Sequence, residues 1–123
     1  MELKLYRCAH CGNIAFKLVD KGVPLMCCGQ KMEELVPNTT DGALEKHVPQ
    51  ITRDGNHVTV QVGSVIHPML PEHYIQFIAA VSGNKVTFQL PQPGDEPVLK
   101  TGGSDPVTAY EYCNLHGFWK GQE

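Results

Sequence analysis

The side chains in this sequence that could do chemistry are thiols and imidazoles: five cysteines and six histidines among 123 residues. Four cysteines come early, as Cys8-x2-Cys11 and then, after a gap of fifteen residues, the adjacent pair Cys27-Cys28. Two cysteine pairs at this separation can set four thiolates around one ion, the donor set of tetrathiolate metal sites. Disulfides fit less well. Five is an odd number, and a bond between neighbours Cys27 and Cys28 would be strained away from preferred geometry.

The fifth cysteine opens a Cys113-x2-His116 pair, a spacing that lets one turn present two donors to one ion. Upstream stand Glu45-Lys46-His47 and the loop from His67 to His73, with a histidine at each end. Together His47, His67, His73, Cys113 and His116 make a candidate site of four imidazoles and one thiolate. The other two histidines are set aside. His57 is in phase with Thr59 and Gln61 on the polar side of an alternating strand, and His10 lies inside the Cys8–Cys11 loop, where a side chain turns outward. Structural zinc takes four ligands in a tetrahedron. Five donors instead suggest a square-pyramidal ion with one open position, and donor softness favours iron, with copper second. A thiolate opposite the open position would push electron density onto the metal. Such a site suits a small substrate better than electron storage.

Composition narrows the function classes. Ten Lys plus Arg against thirteen Asp plus Glu leave a net charge of −3, without the basic excess of a nucleic-acid binder. Hydrophobic residues make up 41%, enough to bury a core. The opening MELKLYRC has no apolar run of signal-peptide or membrane-span length, so a soluble, cytoplasmic protein with no membrane partner is expected.

These donors need elements to hold them. Residues 1–36 are too few to fold by burial alone, so a metal clamp is expected to supply stability. Their candidate core is Leu5, Tyr6, Ile14, Phe16, Leu18, Val23, Leu25 and Leu35, on short strands joined by turns at Gly12, Gly22 and Gly29. Residues 37–42 are polar and turn-rich and form the expected linker. Residues 43–123 contain alternating strands at 57–62 and 85–90, a longer buried strand at 74–81, and a fourth at 107–113. Asp54-Gly55-Asn56 and Ser82-Gly83-Asn84 occupy hairpin-turn positions, and 91–106 is expected as a loop rich in Pro, Gly and acidic residues. The whole is mainly β: a small metal-clamped domain followed by an antiparallel β-sandwich.

Taken as a set, these motifs resemble the desulfoferrodoxin family, the two-iron superoxide reductases. Cys8-x2-Cys11 with Cys27-Cys28 is similar to its desulforedoxin-like centre. Glu45-Lys46-His47-Val48-Pro49, His67-Pro68-Met69, Glu72-His73-Tyr74-Ile75 and Cys113-Asn114-Leu115-His116-Gly117 are similar, in order, to its catalytic iron segments. The resemblance implies two iron ions per chain: a tetrathiolate one, and one with four equatorial histidines and an axial cysteine. It implies an immunoglobulin- or fibronectin-like sandwich at 43–123 and one-electron reduction of superoxide to hydrogen peroxide. It further implies a rubredoxin-like electron donor, a homodimer, and a cytoplasmic location. Glu45 would close the open position of the oxidised iron, and Lys46 would steer superoxide. Phe77 stands where the family pattern suggests a larger aromatic, often Trp. Two other readings compete: a pure electron carrier built on the four cysteines, and a protein with two structural zinc sites.

Overall fold

The computed structural model describes residues 1–39 and 42–123; Thr40 and Asp41, in the expected linker, lie outside them. The chain divides into two compact units, Glu2–Val36 and Pro37–Glu123, with Met1 grouped with the second.

The smaller unit has strands β1 (Leu5–Arg7), β2 (Ile14–Phe16), β3 (Met26–Cys27), β4 (Gln30–Lys31) and β5 (Glu33–Glu34). β1 pairs antiparallel with both β2 and β5, and β3 with β4 forms a separate hairpin. Strands of two or three residues cannot bury much apolar surface. Two expected core residues prove exposed, Leu18 at 87% and Val23 at 68%, because no second layer covers the 17–24 loop. Leu5 is buried as expected, and Leu3, Met32 and the Cys8 thiol are buried with it. A cysteine at the centre of so small a core fits a unit organised around a metal rather than around side-chain packing.

The larger unit opens with a single helical turn, α1 (Leu44–His47), followed by β6 (Pro49–Asp54), β7 (His57–Val62), β8 (Ile75–Ser82), β9 (Lys85–Gln89), β10 (Val98–Gly102), β11 (Val107–Cys113) and β12 (Gly117–Gln122). One sheet runs β10-β7-β6 and the other β12-β11-β8-β9, with antiparallel pairing throughout. Val58, Val60, Val62 and Leu99 from the first sheet and Ile75, Ile78, Ala80, Val107, Ala109 and Cys113 from the second form one buried cluster, so the two sheets make a sandwich. Both expected hairpins are present, with Asp54 opposite His57 and Ser82 opposite Lys85.

Two expectations for the larger unit need correction. Residues 91–106 are not all loop: Val98–Gly102 is a strand, whose Leu99 enters the core opposite Val60. The 85–90 strand is only half amphipathic, since Phe88 and Leu90 are exposed, Leu90 at 67%. β9 is an edge strand and has a neighbour on one side only.

The ladder of β8 with β11 carries an irregularity that matters for the site. Tyr112 faces Phe77, but Cys113 faces Ile75, so Gln76 is an extra residue in β8. Such a bulge re-aims a strand locally. Here it lets Ile75 join Ile78 in the core while Phe77 turns to the other face and stacks on Tyr112 at 6.1 Å. Phe77 therefore fills the aromatic position with the smaller ring.

Candidate metal centres

Three segments of the sandwich unit deliver the histidines and Cys113. His47 ends α1, His67 and His73 lie in the connection between β7 and β8, and Cys113 and His116 bracket the turn between β11 and β12. The imidazole centroids form a closed cycle: His47–His67 at 4.8 Å, His67–His73 at 4.6 Å, His73–His116 at 5.1 Å and His116–His47 at 4.8 Å. Neighbouring rings meet edge to face, with interplanar angles from 70° to 83°. Cys113 Sγ lies 3.4 Å from His67 Nε2 and 3.7 Å from His116 Nδ1. Those two rings are opposite corners of the cycle. A sulfur close to both lies between these opposite corners, and Cys113 is fully buried.

The donor atoms follow from what holds the other ring nitrogens. His47 Nδ1 is 2.7 Å from the Ala43 carbonyl and His67 Nδ1 is 2.6 Å from the Pro68 carbonyl. A carbonyl only accepts, so each Nδ1 carries the proton and each Nε2 presents a lone pair. His116 turns its Nδ1 inward, 3.1 Å from His47 Nε2. His73 Nε2 is buried with no hydrogen-bond partner, an orphaned lone pair that a cation would satisfy. All five donor atoms lie within 4.8 Å of one another. Four imidazoles and a thiolate in that space fit one borderline-soft ion such as iron.

Electrostatics agree with ligand duty. Burial lowers the affinity of His47, His67 and His73 for protons, His67 down to about 4, so these rings are neutral. Burial pushes the Cys113 thiol up, against the pull of the Leu115 and His116 backbone N–H groups. A bound cation would reverse that rise and hold the thiolate. Trp119 stacks on His47 with a centroid distance of 5.1 Å, and its Nε1–H donates to the His116 carbonyl at 3.1 Å.

Glu45 and Lys46 are exposed on the same helical turn as His47. Both charges reach the ring of histidines: Lys46 depresses His73, and Glu45 raises His47 against the larger effect of burial. The turn is held by the Glu45 carbonyl, which accepts from Val65 N–H at 2.8 Å and Ser64 Oγ at 3.2 Å. Gly63 makes this approach possible. Its φ is +69°, and a Cβ there would collide with the Glu45 carbonyl oxygen and meet Lys46 Cα at 2.6 Å.

The four-cysteine group is built from two turns. Gly12 N–H donates to the Cys8 carbonyl at 2.9 Å, and the backbone amides of Cys11 and Asn13 point at Cys8 Sγ and Cys11 Sγ at 3.5 and 3.4 Å. Cys28 holds a left-handed φ of 53°, which turns its thiol toward Cys27, 3.9 Å away. Cys11 Sγ and Cys27 Sγ are 3.6 Å apart. All four thiols are free, and their sulfurs lie within 4.8 Å of one another. Backbone N–H groups, Cys11 first, draw the Cys8 thiol down to about 6, while the neighbouring Cys11 and Cys8 sulfurs push Cys28 up to about 12. Four sulfurs this close resist joint ionisation unless a cation lies among them. Cys8 is buried and Cys28 exposed. His10 and His57 are both exposed and belong to neither group.

These two donor sets are the pattern of a known family. Residues 1–35 match the family described as Desulfoferrodoxin, N-terminal domain, and residues 39–122 match Desulfoferrodoxin. The chain belongs to the desulfoferrodoxin family. It is 45% identical over 119 residues to a desulfoferrodoxin homolog of Archaeoglobus fulgidus, covering 96% of this chain and 95% of that one. It is 43% identical over 122 residues to the desulfoferrodoxin of Nitratidesulfovibrio vulgaris, covering 98% and 97%. Its structure is similar to the superoxide reductase from Treponema pallidum, with a TM-score of 0.79, 31% identity, and 98% and 99% of the two chains covered.

Several residues at the histidine site of this desulfoferrodoxin were not visible as site residues from spacing. The Ala43 and Pro68 carbonyls that fix the tautomers are backbone groups and leave no mark on residue type. Glu111 shares the core-facing side of β11 with Cys113 and is fully buried, with both carboxylate oxygens unpaired. Burial lifts its pKa well above the ordinary range and keeps it neutral. Its one sequence signal is phase: Val107, Ala109, Glu111 and Cys113 alternate along one face.

Proposed function

We propose that this protein reduces superoxide to hydrogen peroxide by one electron at the four-histidine, one-cysteine centre, with iron there and in the four-cysteine centre. The observation that carries this is the one-sided ring: four imidazoles in cyclic order, a buried thiol beneath one face, and exposed Glu45 and Lys46 on the adjoining turn. Ferrous iron held in the ring supplies the electron and an open position for a small anion.

The chain's own residues do the rest. The protein carries a net charge of −3, so attraction of an anion has to be local. Lys46 provides it by focusing the field near the ring. His47, His67 and His73 enter neutral, and Cys113 would hold the iron as the anionic donor, a thiolate that would supply electron density to the metal and favour product loss. Protons come from solvent at the exposed edge, where the Lys46 ammonium can order water. Glu45, exposed on the turn that ends at His47, would supply a carboxylate to the iron after turnover. One superoxide, one electron and two protons become one hydrogen peroxide, and no oxygen forms. The electron is restored by a one-electron carrier, for which a rubredoxin-like protein is the matching donor. A homodimer in the cytoplasm completes the proposal; among the described residues no helix is long and apolar enough to cross a membrane.

The test is stoichiometry. The reduced, iron-loaded protein mixed with radiolytic superoxide should yield one peroxide for each superoxide, with bleaching reversed as the iron oxidises. A dismutase yields one peroxide for every two superoxides and releases oxygen; that result would overturn the proposal.

A further inference from the structure

Asn114 has no part in the chemistry above, yet it joins donor-bearing segments that are far apart in sequence. β11 ends at Cys113, where its ladder with β8 has just slipped by one residue. One backbone bond continues past the slip, from Asn114 N–H to the Tyr74 carbonyl at 3.2 Å. The chain then turns through Leu115 to His116. The Asn114 side chain extends the pairing: Oδ1 accepts from Tyr74 N–H at 2.9 Å, and Nδ2 donates to the Glu72 carbonyl at 3.0 Å. Those two backbone groups flank His73. A carboxamide offers the same donor and acceptor as a peptide, and gripping the groups on either side of one residue is how a parallel strand pairs with its neighbour.

His73 is the ligand that needs this support. The rings of His47 and His67 are each aimed by a carbonyl on Nδ1. Among the described residues nothing plays that part for His73, whose Nε2 is the orphaned buried atom of the site. Its backbone, by contrast, is fully engaged: N–H and C=O both pair with Leu70, at 3.1 and 2.9 Å, and Asn114 grips the residues on both sides.

We propose that Asn114 is a positioning residue for His73. By bracketing the His73 backbone it fixes Nε2 relative to Cys113 and His116, which lie on its own turn, and so couples three of the five donors into one rigid piece. This rests on the metal-binding role given to the ring under the proposed function.

The experiment uses the full chain loaded with ferrous iron. Iron retention against a competing chelator and the sulfur-to-iron absorption band report the histidine centre, the four-cysteine centre serves as internal reference, and thermal melting reports the fold. Asn38→Ala is the control. Asn38 brackets Lys120 in a similar way, with Oδ1 accepting from its N–H at 2.9 Å and Nδ2 donating to its carbonyl at 3.4 Å, and neither residue belongs to the five-donor set. Asn114→Ala should weaken iron binding at the histidine centre by about 10- to 100-fold, the range for residues that orient ligands, and shift the band. Asn114→Asp keeps only the bond from Tyr74 and should lose less, despite its added negative charge. Asn38→Ala should lower the melting temperature and leave affinity and band unchanged. A folded Asn114→Ala with wild-type affinity and band, or a loss no greater than that of Asn38→Ala, overturns the proposal. If Asn114→Ala does not fold, the Asp variant decides on the same readouts. A wild-type chain that binds iron but makes no peroxide would overturn the proposed activity and leave the role of Asn114 standing.

Discussion

In residues 2–36 all four donors come from two turns, Cys8 to Cys11 and Cys27 to Cys28, whereas His47 and His116 in the sandwich are 69 positions apart. The small unit has strands of two or three residues and a cysteine in its core. Its metal would be part of the fold, and a fully ligated ion is what such a unit needs. The sandwich has a continuous core from both sheets in which Cys113 is one residue of ten. Its ring of donors can therefore be spent on chemistry. A site that must hold a fold together closes its coordination; a site carried by an independent fold can keep a position free.

That contrast breaks most sharply on metal removal. Cys28→Ser, or chelation of the whole protein, should unfold residues 2–36 and leave 37–123 folded, since metal binding supplies on the order of 10 kcal/mol in small thiolate domains. Hydrogen exchange should show protection lost in β1 and β2 and kept in β7, β8 and β11. Protection surviving in β1 and β2 without metal would mean that the small unit folds by packing after all.

Gly63→Ala tests the other side of the comparison. The added Cβ would push on the backbone of Glu45 and Lys46, at a position with φ of +69°, at a cost of about 1–3 kcal/mol. Melting should show the loss in the sandwich transition, and metal analysis should show less iron in the histidine centre with the four-cysteine centre full. Equal loss from both centres would contradict the independence of the two units.

Lys46→Ala acts on substrate capture and leaves the ligands in place. A single charge beside an open site should change the second-order rate with superoxide by about 10-fold, the low end for electrostatic focusing, and flatten its salt dependence. The visible spectrum should hold. Pulse radiolysis across a salt series checks this, and an unchanged slope would return Lys46 to an ordinary solvated lysine.

The smallest effect concerns Arg53 and Glu123, which belong to neither donor set. Hydrogen bonds from Arg53, then from Val107 N–H, hold the Glu123 carboxyl down to about 2, from an ordinary 4.5. Ionised Glu123 is the form the fold prefers, so its contribution is present above about 4.5 and is lost as pH falls through about 2. Arg53→Ala should flatten the acid limb of a melting-temperature profile over that window. A profile identical to wild type would show that solvent screens the pair completely.

The strands legible in sequence and those that were not differ in most cases in one respect. β7, β8, β9 and β11 stand out as apolar or alternating runs, and all but the edge strand β9 are central, with neighbours on both sides. β6, β10 and β12 did not stand out, and each is a sheet edge. An edge strand carries fewer buried residues and more polar ones, as the alternation of Pro49–Asp54 shows, and it is a strand largely because its neighbour offers a ladder. Val98–Gly102 hid for that reason inside a Pro- and Gly-rich stretch.

The cysteine pairs could be read directly, because donors three residues apart or adjacent are already close whatever the rest of the chain does. So could the set of four histidines and one cysteine, by elimination of His57 from strand phase and His10 from its loop. The amino-acid sequence by itself therefore determined which donors exist, which histidines stand aside, and the two-part organisation around thiols and a sandwich. Only the tertiary structure decided the cyclic order of the imidazoles, the placement of Cys113 between two opposite rings, which ring nitrogen each histidine presents, and the grip of Asn114 on His73. Those depend on backbone carbonyls, a bulge at Gln76 and contacts across up to 69 positions. Residue type and local spacing carry no record of such long-range geometry; it exists only once the two sheets have packed.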